Sequence, residues 1–183
     1  GVDFVKDTDT AAFLPQINDD PGTVFHDHLH RFVQLLAAIA PFGSKNISGK
    51  TFTVMNIAAS MALKGAKVML VDLDLRKASL SKQLDLVHSG VVSYLNGKTD
   101  DYSKNTDEIA PNLYVLPVGS LPPNPTELLL SDRFAQMIES MRGEYDYIFL
   151  DCPPIELVAD ASIITDVADM SVFVMRANQM DKD

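Results

Sequence analysis

The sequence predicts an α/β fold with a mostly parallel β-sheet flanked by helices. Short, near-continuous apolar runs rich in β-branched residues recur along the chain, and stretches with helical spacing or helix punctuation separate them. Two of the runs end on an aspartate, where open α/β sheets gather polar ligands. Strands that are apolar on both faces need cover on both sides, and crossover helices supply it.

Residues 33–40 form the first apolar run, read as a strand although its leucines and alanines would also suit a helix. Residues 51–64 carry Val54, Met55, Ile57, Ala58, Met61 and Ala62 on more than one face and stop at Gly65, as a buried helix would. Residues 68–71 predict a strand ending at Asp72, residues 113–116 a third, residues 147–150 a fourth ending at Asp151, and residues 171–175 a fifth. Ser131 is placed to cap a helix over residues 132–141. The beginning of the chain, with Asp7-Thr8-Asp9-Thr10 and Asn18-Asp19-Asp20-Pro21-Gly22, carries turn chemistry. Residues 1–32 are therefore expected as an N-terminal arm, and residues 33–183 as one domain, truncated at its C-terminal end.

Composition narrows the partners. With 183 residues, 46% of them hydrophobic and 22% charged, the chain has the makings of one globular core. Its formal charge of -10 would repel a phosphate backbone, so a nucleic-acid partner is disfavoured. Cys152 is the only cysteine, which rules out an intramolecular disulfide and favours a reducing, cytoplasmic compartment. No apolar run approaches the roughly 18 residues that cross a bilayer, and no signal-peptide pattern opens the chain, so a soluble piece is expected.

The chemistry begins at Ser48-Gly49-Lys50-Thr51, between the first apolar run and the buried helix. There a glycine lets backbone amides close on phosphate oxygens, a lysine adds a point charge for the β and γ phosphates, and a threonine ligates Mg²⁺. The usual loop has four residues between its glycines, whereas Gly43 to Gly49 encloses five, and Ile47 stands where a glycine is common. Two readings stay open, a remodelled loop or one from which residues are missing in this numbering. Asp72 and Asp74 alternate at the end of the next strand, so an extended backbone would point them the same way. Asp151 follows four apolar residues, as the acid of a Walker B strand does. An acid after a strand is often only a turn residue, but three in this order after a Gly-Lys-Thr make a phosphate and metal site the better reading. All three acids are expected to serve that site and not the core.

Three segments resemble the Walker A, A-prime and B motifs of bacterial tyrosine autokinases: Ser48-Gly49-Lys50-Thr51, Val71-Asp72-Leu73-Asp74-Leu75-Arg76-Lys77 and Tyr147-Ile148-Phe149-Leu150-Asp151-Cys152-Pro153-Pro154. Gly90-Val91-Val92-Ser93-Tyr94-Leu95-Asn96-Gly97 and Gly119-Ser120-Leu121-Pro122-Pro123-Asn124-Pro125-Thr126-Glu127-Leu128-Leu129 are also similar, so the likeness runs from about Gly49 to Arg176. MinD- and ParA-type ATPases share the deviant P-loop fold, but the acid pair followed by Leu75-Arg76-Lys77 is more typical of the kinases. The family's Glu-x-x-Arg-x-x-Arg oligomerisation helix is not found; Phe25-His26-Asp27-His28-Leu29-His30-Arg31 stands in roughly that place.

The resemblance implies an ATP-dependent protein-tyrosine kinase domain that regulates exopolysaccharide or capsule synthesis, with ATP and Mg²⁺ as cofactors. It implies that Ser48, Gly49, Lys50, Thr51 and Phe52 bind nucleotide, and that Thr51, Asp74 and Asp151 hold the metal. Lys50, Asp72, Asp74 and Asp151 would be the catalytic set, with Asp72 orienting or deprotonating the acceptor hydroxyl. Implied partners are ATP or ADP, the tyrosine-rich tail of a neighbouring subunit in a homo-oligomer, and a membrane-spanning activator at the inner membrane. Tyr94, Tyr102, Tyr114, Tyr145 and Tyr147 form no such tail. A MinD- or ParA-like ATPase switch and a binding module without turnover remain alternatives. Lys45, five residues before Lys50, favours the switch, although a lone lysine in a loop is more often a surface charge. His26, His28 and His30 alternate as metal ligands on a strand would, yet in a polar arm they read as solvated side chains. Cys152, at the end of a buried strand, reads as a packing residue.

Overall fold

The computed structural model describes residues 5–6, 32–37, 49–153 and 163–175. Seven strands make one sheet: β1 Val5–Lys6, β2 Phe32–Ala37, β3 Val68–Asp72, β4 Asp107–Ala110, β5 Leu113–Leu116, β6 Tyr147–Asp151 and β7 Met170–Met175. Their order is β1-β7-β2-β6-β3-β5-β4, and every pairing is parallel except that of β4 with β5. Helices α1 Lys50–Leu63, α2 Ser79–Gln83, α3 Val91–Leu95, α4 Pro125–Leu129 and α5 Asp132–Arg142 fill the connections. β1 falls within the stretch expected as an arm and pairs with β7. Ser48, Lys45, Gly43, Ile47 and the three histidines His26, His28 and His30 lie outside the described residues.

Side chains alternate across the central strands, and the core divides accordingly. Val68, Leu70, Val115 and Phe149 face α1 through Val54, Ala58 and Ala62, whose spacing of four puts a small-residue stripe against the sheet. Met69, Val71, Leu116, Ile148 and Leu150 face α5 through Phe134, Met137, Ile138 and Met141. β3 is buried along its whole length, as its unbroken apolar run requires.

β2, the strand expected from residue 33, runs from Phe32 to Ala37, and residues 38–40 of that expected run lie outside the described residues. Ser131 occupies the N-cap position of α5, but its hydroxyl donates to Leu128 O at 2.6 Å and not to an α5 amide. At the last turn of α4 that carbonyl receives only a long backbone bond, from Ser131 N–H at 3.3 Å, and the serine hydroxyl adds a short one. β4 was not expected, because Asp-Glu-Ile-Ala has no strand alternation; it forms when Asn112, at φ 64°, turns the chain back on β5.

Two loops at the carboxyl ends of the strands are fastened backbone to backbone. Val91 N–H donates to Pro117 O at 2.8 Å and Val92 N–H to Val118 O at 3.2 Å, which seats the start of α3 on the segment leaving β5. Gly90 and Gly119 cross there with no room for a side chain between them.

Candidate nucleotide and metal site

The parallel register of β3 with β6 sets Asp72 beside Asp151, so the last residues of two neighbouring strands deliver both acids to one place. α1 arrives at the same edge. Gly49, at φ 72°, is its N-cap and lets the chain enter the helix from a left-handed turn. Lys50 follows, 7% exposed, with Nζ donating to Cys152 O at 2.8 Å. Thr51 Oγ1 donates to Asp151 Oδ2 at 2.8 Å. Helix N-terminus, lysine, threonine hydroxyl and two strand-end carboxylates therefore converge.

The second acid of the pair is held differently from expectation. β3 stops at Asp72, so alternation does not continue to Asp74. Asp74 instead opens a turn in which Ala78 N–H donates to its carbonyl at 2.7 Å. Its carboxylate accepts the Lys77 N–H at 3.1 Å and the Ser79 hydroxyl at 2.9 Å. Nor are the three acids free of the fold: Asp72, Asp74 and Asp151 are 0%, 4% and 1% exposed. Asp72 accepts hydrogen bonds from Ser81 N, Ser81 Oγ and Asp74 N, because a carboxylate at the end of a buried strand must find donors inside the protein.

Burial sets the electrostatics. It pushes Asp151 up to about 7, helped by the charge of Asp72 and opposed by the Thr51 hydrogen bond. It pushes Asp72 up to about 6, opposed by its bonds from Ser81 and Asp74. Lys50 is lowered by the same loss of water, offset by Asp151 and Asp74. Asp151 Oδ1 is buried with no hydrogen-bond partner. An unpaired carboxylate oxygen beside a threonine hydroxyl at a helix N-terminus is a donor set that fits Mg²⁺ shared with phosphate. Among the described residues no three carboxylate, imidazole or thiol side chains form a protein-only metal cage.

The other candidates are placed as follows. Phe52 is 67% exposed on the outside of α1 and does not join the buried cluster. Arg76 is exposed, and its Nη2 donates to Thr126 Oγ1 at 3.3 Å, tying the acid-bearing turn to the start of α4. Cys152 is 1% exposed, with its thiol raised well above the ordinary range by burial, and its carbonyl is what engages Lys50. Ser79, Ser81 and that carbonyl were missed by sequence reasoning, since backbone oxygens have no residue signature and the serines reach their acids only through the turn over residues 74–78.

The raised carboxylates predict how stability depends on pH. Between about 4 and about 7 the folded chain keeps a proton on Asp151 that the unfolded chain releases, so stability is highest at the acid end and is lost as pH rises through about 7. Asp151→Asn, which preserves an acceptor for Thr51, is expected to raise the thermal midpoint at pH 8 by about 5 °C without nucleotide and to flatten this slope. Thermal unfolding of both proteins from pH 5 to pH 8 checks it; a lower midpoint for the variant at pH 8 would contradict the assignment.

A parallel sheet with a helix N-terminus, a lysine and strand-end acids at its carboxyl edge defines a nucleotide-binding domain of the P-loop class. A family model described as an AAA domain matches residues 37–180, and the chain belongs to that family. It is 40% identical over 137 residues to the tyrosine-protein kinase CpsD of Streptococcus pneumoniae serotype 4, covering 73% of this chain and 60% of that relative's length. Its fold is similar to the kinase domain of Escherichia coli tyrosine kinase ETK, with TM-score 0.73 and 30% identity over 81% of this chain and 57% of that one. It is also similar to the septum site-determining protein MinD of Pyrococcus horikoshii in complex with Mg-ADP, with TM-score 0.60 and 25% identity over 78% and 58% of the two chains.

Proposed function

We propose that the chain is the ATP-dependent protein-tyrosine kinase domain of a regulator of capsule or exopolysaccharide synthesis. The observation that carries this is the pairing of Thr51 with Asp151, beside an unpartnered Asp151 Oδ1 and the neighbouring Asp72, in a chain whose relative CpsD is named a tyrosine-protein kinase. Bound Mg·ATP supplies the phosphoryl group and neutralises charge on it. Lys50, whose Nζ donates to the Cys152 carbonyl, would hold the β and γ phosphates together with the α1 amides. Thr51 and Asp151 would hold the metal, with Asp74 supporting it from its turn. Asp72 receives the proton of the attacking tyrosine hydroxyl, a role suited to a carboxylate whose burial raises it to about 6.

The acceptor is a tyrosine-rich tail of a neighbouring subunit in a homo-oligomer, and a membrane-spanning activator holds the domain at the inner face of the membrane. No helix among the described residues is long and apolar enough to cross a membrane. Within this chain Tyr94, Tyr102 and Tyr145 are buried at 8%, 4% and 4% exposure, so self-modification is expected to be weak.

Incubation with labelled ATP, Mg²⁺ and a poly-tyrosine peptide, followed by mass spectrometry, is expected to give phosphotyrosine on the peptide and little on the chain. Steady hydrolysis with nucleotide-dependent dimerisation and no phosphotyrosine would favour the ATPase switch that the MinD likeness supports.

A further inference from the structure

Ser81 lies outside every motif that marks the nucleotide site, yet it makes three hydrogen bonds at the buried end of β3. Its N–H and its hydroxyl both donate to Asp72 Oδ2, at 2.8 and 2.7 Å. The same hydroxyl oxygen accepts the Val118 N–H at 2.9 Å. A serine hydroxyl has one proton, and with Val118 on the oxygen that proton is committed to Asp72. Ser81 is 3% exposed and Asp72 fully buried, so bulk water cannot replace the bond if it is lost.

The partner acid offers a contrast. Asp74 also receives a serine hydroxyl from the first turn of α2, but Ser79 is only partly buried, so water can take its place there. Asp72 Oδ1 is engaged by the longer bond, 3.1 Å from Asp74 N–H. Two short bonds on one oxygen and one long bond on the other fix the plane of a carboxylate far better than any single contact.

We propose that Ser81 is the positioning residue for Asp72, holding its carboxylate in one orientation beside Asp151 and linking it to the segment that leaves β5. The role rests on the kinase reading, in which Asp72 receives the acceptor proton. Ser81 touches neither phosphate nor metal in that scheme, so its removal acts on turnover and leaves nucleotide binding alone.

The test compares wild type, Ser81→Ala, Ser81→Thr and Ser103→Ala in phosphotransfer to the poly-tyrosine peptide, with amide spectra of the same proteins. Misorienting Asp72 is expected to lower kcat of Ser81→Ala about 30-fold, with KM for ATP within about 2-fold of wild type. Ser81→Thr, which keeps the hydroxyl, is expected to recover kcat to within about 3-fold, and Ser103→Ala, at an exposed serine bonded to Asp101, to stay within about 2-fold of wild type. The Asp74 and Val118 amide resonances are expected to move in Ser81→Ala and to return in Ser81→Thr. A kcat for Ser81→Ala within about 2-fold of wild type overturns the proposal, as does a rise in KM that matches the fall in kcat. If Ser81→Ala loses its dispersed spectrum, Ser81→Cys replaces it, with an intermediate kcat expected and an unchanged kcat overturning the proposal. Absence of phosphotyrosine from wild type itself would sink the kinase reading, whereas unmoved amides in Ser81→Ala would sink the positioning role whatever the activity.

Discussion

Replacing Lys50 by Met is expected to reduce phosphoryl transfer by about 1,000-fold or more and to weaken nucleotide binding by about 10- to 100-fold. The lysine is the cation that the site places against Asp151 and Asp74, and its Nζ is the hydrogen-bond donor to Cys152 O. Methionine fills the space but offers no donor and no charge, so the buried carbonyl loses its partner and the acids lose their counter-charge. Asp151 already stands above the ordinary carboxylate range, and without the lysine, whose charge opposes that rise, it moves up further. The folded variant then binds protons more readily than the unfolded chain, so its stability deficit is greatest at pH 8 and shrinks as pH falls toward 5. Calorimetric titration with ATP and unfolding curves across that range check both parts. Wild-type affinity in the variant would remove the α1 N-terminus from the site.

Gly90→Ala is expected to cost about 3 kcal/mol or more, enough to lower the thermal midpoint by about 10 °C or to prevent folding. Its backbone is extended, at φ -147° and ψ -151°, so conformation is not the obstacle. The obstacle is space: an added Cβ would stand 1.9 Å from Pro117 O and 2.7 Å from Gly119 N, both backbone atoms. Relief requires α3 to lift away, which breaks the bonds from Val91 and Val92 and disturbs Val118, the residue fastened to Ser81. Gly97→Ala is the control, because φ 70° strains an alanine while the space around it is open, and about 1 kcal/mol is expected there. Urea unfolding of the two variants separates them; equal small losses would mean that the crossing is looser than described.

The main architecture was legible because burial on both faces leaves an unambiguous mark. Residues 68–72 and 147–151 could be read as strands, and their order after Gly49-Lys50-Thr51 could be read as a site, from residue type alone. What the sequence withheld depended on partners distant in the chain. Ser131 looks like a helix cap and is used as one for the wrong helix end, because α4 stops two residues earlier and the Leu128 carbonyl in its last turn takes the hydroxyl. Asp72 and Asp74 look like a matched pair and are held by different serines in different conformations. The short helices α2, α3 and α4 are five residues each, too brief to show a period of 3.6.

The β4 edge closes the sheet on one side in a way that bears on behaviour at high concentration. β4 carries Asp107 and Glu108, has a register shift between Glu108 and Ala110, and runs against the direction of its neighbour. A second chain laying a strand there would meet negative charge and a broken ladder, in a molecule whose formal charge is already -10. Crowded copies of this domain are therefore repelled at that rim, and a concentrated solution near neutral pH is protected there against the strand-by-strand growth that turns exposed sheet edges into fibrils.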